Sequence, residues 1–149
     1  MAAKRSAVPD GVLVRDRMTV GLEKIHNVVR LRDAAMKMRH SDVGLLAVYD
    51  GAELLGVLTD RDLVVRVVAD GLDPDQTPVS AASSPEVFRC YDDEPLADAL
   101  ERMRQKHVRR LVVFDREDEP VGLISVDDAA RVDAAKGAVA AVIASDHPR

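Results

Sequence analysis

Two short segments of the chain combine a hydroxyl group with a carboxylate at a fixed spacing. Thr59 is followed three residues later by Asp62, and Ser125 is followed three residues later by Asp128. In both places an apolar run ends and a helical pattern begins. One interpretation is a capping box, in which hydroxyl and carboxylate exchange hydrogen bonds with amides of the first helical turn. The other is a nucleotide site, in which free amides at the helix start hold a phosphate and the carboxylate accepts from the vicinal hydroxyls of a ribose.

The sequence offers little catalytic chemistry. It contains no visible pairing of a nucleophile with a base, no metal-ligand cluster and no glycine-rich phosphate loop. Cys90 is the one cysteine, so an intramolecular disulfide is impossible and a reducing cytoplasm is the expected compartment. Its position near a predicted strand favours a buried small hydrophobe over a reactive thiol. We therefore expect a protein that is neither an enzyme nor a metal carrier.

The composition of the sequence argues against two classes of binding partner, nucleic acids and anionic membranes. The chain has 149 residues, a formal net charge of -5 and only 3% aromatic residues, with no tryptophan. A mildly acidic chain without basic runs or aromatic stacking groups is a poor partner for nucleic acid or an anionic membrane. The N-terminus carries no apolar signal segment, and the longest apolar stretch, Gly137 to Ser145, is less than half of a membrane span. We expect a soluble cytoplasmic protein.

The elements that must position the two hydroxyl and carboxylate pairs occur twice. Residues Leu31 to Asp50 align without a gap on Leu96 to Asp115, with nine of twenty positions identical. Each half predicts the order strand, helix, strand, strand, helix. The first strands are expected around Asn27 to Arg30 and Val87 to Tyr91. A hairpin is expected over Leu111 to Phe114 and Val121 to Ile124, and the second helices open at Thr59 and Ser125.

This duplication predicts an α+β (or α/β) fold of two tandem repeats packed about a pseudo-twofold axis, with a ligand crevice between them. The expected segments are a flexible N-terminus over 1–11, repeats over 12–69 and 79–137, a connection over 70–78, and an apolar helix end with a tail over 138–149. The apolar end is predicted to form a subunit contact.

The same residues resemble a known family. The pattern LLAVYD followed by GVLTDRDL, and its second copy LVVFD followed by GLISVDDA, is similar to the cystathionine-β-synthase (CBS) domain. The chain thus resembles small stand-alone proteins made of two CBS domains. This resemblance implies a regulatory module with two pseudo-symmetric clefts for AMP, ADP, ATP or S-adenosylmethionine, and disc-like homodimers.

The resemblance also implies roles for individual residues. The acidic residues hold the ribose, hydroxyl and basic residues lie at the phosphate end, and residues before the first strand of each repeat surround the adenine. The ribose positions are Asp62 and Asp128; the phosphate-end positions are Thr59, Arg61, Ser125, Arg109 and Arg110; the adenine positions are Met18, Thr19, Ser83 and Ser84.

The two clefts are not expected to be equal. Asp127 and Asp128 have no basic neighbour in the sequence, whereas Arg61 lies beside Asp62. We therefore expect the better cleft to combine Asp62 with Arg110 from the other repeat, because a desolvated phosphate needs cations. The predicted function is a homodimeric energy or stress sensor for an unknown effector protein. The alternative is a nucleotide-free scaffold or stress-associated interaction protein.

Overall fold

The computed structural model describes residues 8–131, which form two compact units. The central unit is Val20–Arg89. The terminal unit consists, among the described residues, of 8–19 and 90–131. The predicted apolar end over 138–149 and its subunit contact lie outside the described residues. None of the helices between residues 8 and 131 has the length and apolar character of a membrane span.

The central unit is built on a three-stranded sheet in the order β2 (Lys24–His26), β3 (Leu45–Asp50), β4 (Glu53–Thr59). β2 and β3 are parallel, while β3 and β4 form an antiparallel hairpin that pairs Leu46 with Leu58. Its core forms because helix α1 places Leu31, Ala34 and Met38 on one face, where all three are buried. The element bounds are β2 Lys24–His26, α1 Leu31–Ser41, β3 Leu45–Asp50, β4 Glu53–Thr59, α2 Asp60–Asp62, a π-helix Leu63–Val68 and a 3-10 turn Val79–Ala81.

The terminal unit repeats this plan. Its sheet has the order β1 (Thr19–Val20), β7 (Pro120–Ser125), β6 (Arg110–Phe114), β5 (Arg89–Tyr91). Strands β6 and β7 form an antiparallel hairpin that pairs Leu111 with Ile124. Helix α3 buries Leu96, Ala99 and Met103 at the same helical spacing as α1. The element bounds are a 3-10 turn Val14–Asp16, β1 Thr19–Val20, β5 Arg89–Tyr91, α3 Leu96–Lys106, β6 Arg110–Phe114, β7 Pro120–Ser125 and α4 Val126–Ala129.

The predicted duplication is confirmed in detail. Helices α1 and α3 begin at aligned residues, and each runs for 11 residues. Each ends on a residue in the left-handed conformation, Asp42 at φ 53° and His107 at φ 54°. Both residues close their helix without glycine, so the same backbone turn leads from each helix into its hairpin. The mixed α and β class is confirmed as well.

One predicted strand is wrong. Residues Asn27 to Arg30 form a turn, in which the Val29 amide donates to the His26 carbonyl at 3.1 Å, and the strand lies upstream at Lys24–His26. The strand segment contains a single buried residue, Ile25, between two exposed polar ones. Such a pattern is too short to be separated from a turn by periodicity alone.

The compact units do not coincide with the sequence repeats, because each unit takes its opening segment from the other repeat. In the terminal unit, the Val14 amide donates to the Glu94 carbonyl and the Leu96 amide to the Val12 carbonyl, both at 2.9 Å. In the central unit, Ser84 pairs with Val57 at the edge of β4. Local patterns in a sequence do not reveal such long-range exchanges.

Candidate functional site

In the central unit, the start of helix α2 is a capping box. The Asp62 amide donates to Thr59 Oγ1 at 3.1 Å, and the Thr59 amide donates to Asp62 Oδ2 at 2.9 Å. Thr59 itself has an extended backbone, as an N-cap residue requires. The capping interpretation is therefore confirmed, and it occupies one oxygen of the Asp62 carboxylate.

The other amides of this first turn are also engaged. The Asp60 amide donates to the Gly44 carbonyl at 3.0 Å, and the Arg61 amide donates to Asp60 Oδ1 at 2.8 Å. The expectation that this helix start offers free amides to a phosphate is wrong, because side chains and a neighbouring carbonyl satisfy these donors. An anion bound here would depend on basic side chains such as Arg61 and Arg66.

The second oxygen of the Asp62 carboxylate has looser contacts. Ser84 Oγ lies 3.5 Å from Asp62 Oδ1, and Arg66 Nε lies 3.9 Å from the same atom. Both distances exceed the usual range for a strong hydrogen bond to a carboxylate. The side chain of Asp62 is nevertheless only 14% exposed. A partly buried acceptor with long contacts can take hydrogen bonds from a ligand.

Arg66 is a member of this cluster that the sequence interpretation missed. Its Nη1 donates to the carbonyls of Ala82 and Ser83, both at 3.1 Å. The sequence could have identified Arg66 as a partner of Asp62 by its spacing of four residues, because residues i and i+4 share a face of a helix. Arg66 thereby connects the helix that carries the carboxylate to the segment that carries Ser84.

A glycine allows this segment to approach β4. The Val57 amide donates to the Ser84 carbonyl at 2.9 Å, and the Ser84 amide donates to the Val57 carbonyl at 2.8 Å. A Cβ atom at Gly56 would lie 2.2 Å from the Ser84 carbonyl oxygen. The central unit therefore brings predicted adenine positions Ser83 and Ser84 together with the predicted ribose position Asp62.

The terminal unit contains a second capping box. The Ser125 amide donates to Asp128 Oδ2 at 3.1 Å, and the Asp128 amide donates to Ser125 Oγ at 3.0 Å. In contrast to Asp62, the remaining oxygen is firmly held, because Arg131 Nη2 donates to Asp128 Oδ1 at 2.7 Å. This carboxylate is both buried and paired.

The expectation that the acids at this helix start lack a basic neighbour is wrong. Arg131 pairs with Asp128, and Arg109 Nη2 lies 3.6 Å from Asp127 Oδ1. Arg131 follows Asp128 by three residues, and this spacing would have identified it. Arg109 reaches Asp127 because the Val126 amide donates to the Arg109 carbonyl, which joins the start of β6 to the start of α4.

Three further predicted ligand-binding residues, Arg110, Met18 and Thr19, also belong to the terminal unit. Arg110 pairs with Ser125 across the β6–β7 hairpin. Thr19 lies in β1, beside β7, and the Met18 amide donates to the Val14 carbonyl at 2.9 Å. Met18 and Thr19 therefore share a unit with Ser125, the second hydroxyl position. The pairing of Arg110 with Asp62 remains a prediction.

Sequence comparison identifies the fold family. The CBS domain profile matches residues 14–69 and 79–135. The chain belongs to the CBS domain family. It is 35% identical over 117 residues to the CBS domain-containing protein YhcV of Bacillus subtilis, covering 78% of this chain and 82% of that protein. It is 32% identical over 118 residues to Hypoxic response protein 1 of Mycobacterium tuberculosis, with the same coverage. The predicted likeness to small two-CBS proteins is confirmed.

Solved structures agree with this assignment. Hypoxic Response Protein I, solved with two coordinated zinc ions, superposes on the CBS pair with a TM-score of 0.68 at 30% identity, covering 80% of this chain and 98% of that one. The CBS domain pair of protein MJ0100, solved with 5'-methylthioadenosine and S-adenosylmethionine, has a TM-score of 0.71 with the same coverage. At 20% identity the second likeness shows the fold alone.

No metal centre is apparent in residues 8–131. This part of the CBS pair contains no group of three or more His, Cys, Asp or Glu residues arranged to hold an ion. Cys90 is 1% exposed and unpaired, and burial raises the pKa of its thiol to about 12. The prediction that Cys90 is a buried hydrophobe is confirmed. CBS-domain proteins are typically regulatory.

Proposed function

We propose that this CBS pair is a regulatory module that binds an adenosine-type ligand, with Asp62 accepting hydrogen bonds from the ribose. The observation that carries the proposal is the state of the Asp62 carboxylate. One oxygen is fixed by the capping box at 2.9 Å, and the contacts of the other within residues 8–131 are 3.5 and 3.9 Å long. The capping box holds the side chain in place, so that binding requires little further ordering.

The two carboxylates are proposed to differ in affinity. Asp128 Oδ1 already accepts from Arg131 at 2.7 Å, whereas the contacts of Asp62 Oδ1 in the described part of the chain are 3.5 and 3.9 Å long. A ribose at Asp128 would have to displace a charge-assisted hydrogen bond, and this displacement costs free energy. The site at Asp62 is therefore the better one. This supports the expectation that the two clefts differ in affinity. The reason is the ion pair between Arg131 and Asp128, and not the missing basic neighbour on which the sequence prediction was based.

The ligand class is proposed to be an adenine nucleotide, namely AMP, ADP or ATP, with S-adenosylmethionine as the further candidate. The same fold holds 5'-methylthioadenosine and S-adenosylmethionine in the MJ0100 protein. Arg61 and Arg66 on the helix of the Asp62 site would favour the negatively charged nucleotides. A bound ligand would signal to an effector protein by shifting the population of states that it binds with different affinity.

We expect Asp62→Asn to weaken AMP binding at least tenfold, and Asp128→Asn to weaken it less than twofold. The asparagine carbonyl can still cap the Thr59 amide, while its NH₂ group replaces the oxygen that accepts from the ribose. Loss of one hydrogen bond to a charged group is worth about 1.5–3 kcal/mol. Isothermal titration calorimetry with AMP and ATP measures both variants, and thermal melting checks that each is folded.

A larger loss at Asp128→Asn would contradict the assignment of the better site. The nucleotide-free scaffold is favoured by one observation, namely that both carboxylates already have a structural role as helix caps. If AMP, ADP, ATP and S-adenosylmethionine leave the melting temperature of the wild type unchanged at millimolar concentration, the scaffold replaces the sensor. Tight binding must raise that temperature by mass action.

The CBS pair is further proposed to form a homodimer through the π-helix that follows α2. Val64, Val65 and Val68 on this helix are 62%, 50% and 74% exposed. Such a grouping of exposed valines is typical of an interaction surface.

We expect light scattering to give twice the chain mass, and Val68→Lys to shift the distribution to the monomer. Val28→Lys, at a valine 65% exposed in a turn, is the matched control, and a monomeric wild type would contradict the proposal.

A further inference from the structure

We propose that the exposed second half of helix α1 is a docking surface for an acidic segment of an effector protein, with one apolar side chain of that segment packed on a methionine. The docking surface consists of Met36, Lys37, Arg39 and His40. It lies within the central unit, and Asp62 is not part of it. The inference rests on the proposed function only in assuming that an effector protein exists. Its test needs no nucleotide, so the docking surface and the ligand site can fail independently.

The docking surface belongs to an open groove of about 780 Å³ along α1. The groove is lined by Glu23, Met36, Lys37, Arg39, His40 and Ser41. Met36 lies two residues from the buried Ala34 and Met38, so it is on the opposite side of the helix, where it is 49% exposed. Methionine is flexible and polarizable, and it adapts its shape to irregular apolar partners. The groove therefore offers a partner one apolar contact among polar groups.

The groove is positively charged, although the whole chain has a formal net charge of -5. The acid in its lining is Glu23, which already pairs with Lys37 Nζ at 3.5 Å. Arg39 and His40 are exposed, and their side chains form neither a hydrogen bond nor an ion pair within residues 8–131. His40 has at least one N–H donor in either protonation state. This local excess of donors would attract the carboxylates of a partner.

The second repeat satisfies the equivalent basic residue on helix α3 by itself. In the alignment of the repeats, Glu101 takes the place of Met36. Arg104, which takes the place of Arg39, donates to both Glu101 carboxylate oxygens at 2.9 and 2.6 Å. The neighbouring Gln105 also donates to Glu101, at 3.1 Å. A glutamate three residues before the arginine thus closes this surface on α3, whereas a methionine at the same place leaves it open on α1.

An acidic peptide fits the docking surface better than nucleic acid does. Its basic groups lie within about one and a half helical turns, which matches a few carboxylates but not a long row of phosphates. Met36 adds an apolar contact that a leucine or phenylalanine side chain of a peptide can fill. Methionine and arginine are both enriched where proteins contact each other. The combination of exposed methionine and arginine therefore favours a protein partner.

Fluorescence anisotropy of the full-length protein with a labelled synthetic peptide, in which glutamates surround one leucine, tests the inference. We expect one peptide to bind per chain, with an affinity that falls as salt is added. Met36→Glu gives α1 the residue that closes α3, and it should weaken binding at least tenfold, because the new carboxylate pairs with Arg39 and repels the peptide. Arg39→Gln should weaken binding about threefold, within the range for an exposed ion pair.

Arg104→Gln is the matched control for Arg39→Gln. Arg104 is 73% exposed at the same place in α3, but it is bound to Glu101. Its replacement should leave peptide affinity within about twofold. Two control peptides, one with glutamine for glutamate and one with serine for leucine, should each bind at least about fivefold more weakly. The substituted side chains are all exposed, and thermal melting checks that each variant is folded.

Each other outcome would overturn the inference. If the wild type does not bind the peptide at millimolar concentration, the docking surface is wrong, whatever nucleotide the protein binds. Equal binding of the serine peptide, or of a single-stranded oligonucleotide, would reduce the surface to a patch that attracts any anion. If Met36→Glu changes the mass measured by light scattering, the surface is a contact between copies of the chain and not an effector site. Equal weakening by Arg104→Gln would contradict the difference between the two repeats.

Discussion

Replacing Gly56 with alanine is expected to destabilise the protein by about 3 kcal/mol, at the upper end of the range for an overpacked interior. The added Cβ would lie 2.2 Å from the Ser84 carbonyl oxygen, 2.9 Å from its carbonyl carbon and 3.0 Å from Pro85 Cα. All three atoms belong to the backbone, so no rotation of a side chain can relieve the overlap. The segment at Ser84 must move away, and the two hydrogen bonds between Val57 and Ser84 are then lost. Urea denaturation measures the change in the free energy of unfolding.

Gly51→Asn is the matched control for this prediction. Gly51 lies in the β3–β4 hairpin with φ +58°, and no atom of the described residues lies within 4 Å of the position that a Cβ atom would take. Asparagine tolerates this left-handed conformation better than most residues, so we expect a loss below about 1 kcal/mol. Equal losses in the two variants would contradict the close approach of Ser84 to β4. A Gly56→Ala protein with unchanged stability would do the same.

The tandem architecture was predictable because it depends on local patterns. The helices α1 and α3 bury residues at regular helical spacing, and the two hairpins consist of apolar runs interrupted by polar turns. The two capping boxes were also predictable, since each is a hydroxyl and a carboxylate three residues apart in the same segment. All of these signals lie within a few turns of chain, where periodicity and capping chemistry determine the structure.

The composition of the candidate site was less predictable, because it depends on contacts between distant segments. Ser84 belongs to the second sequence repeat, but its segment packs in the same compact unit as Asp62, which belongs to the first repeat. The free amides expected at Thr59 are absent from the described helix start, because the Gly44 carbonyl, from the loop before β3, accepts from the Asp60 amide and side-chain oxygens accept from the next two amides. Arg66 and Arg131 were within reach of a systematic search for i+3 and i+4 partners of the two aspartates.

Cys90 is expected to react with a thiol reagent about a thousandfold more slowly than an ordinary cysteine at pH 8. Burial in the terminal unit, with a smaller contribution from the Glu94 carboxylate, raises the pKa of the thiol from 9.0 to about 12. The thiolate is the reactive species, and a pKa three pH units higher reduces its fraction about a thousandfold. Labelling with iodoacetamide, followed by mass spectrometry, measures the rate in the native protein and in urea. Rapid labelling of the native protein would contradict the burial of Cys90.

The same pKa predicts a loss of stability in alkali. The unfolded thiol ionises near pH 9 while the folded thiol stays protonated to about pH 12. Proton release therefore favours the unfolded state as the pH rises from 9 towards 12, and the contribution of Cys90 is fully present below pH 9. Between pH 8 and pH 10 this loss amounts to about 1.4 kcal/mol. Cys90→Ala removes the titrating group. Between pH 8 and pH 10 the free energy of unfolding of the wild type should therefore fall by that amount relative to the free energy of unfolding of the variant. Parallel pH profiles for the two proteins would show that the buried thiol does not titrate in this way.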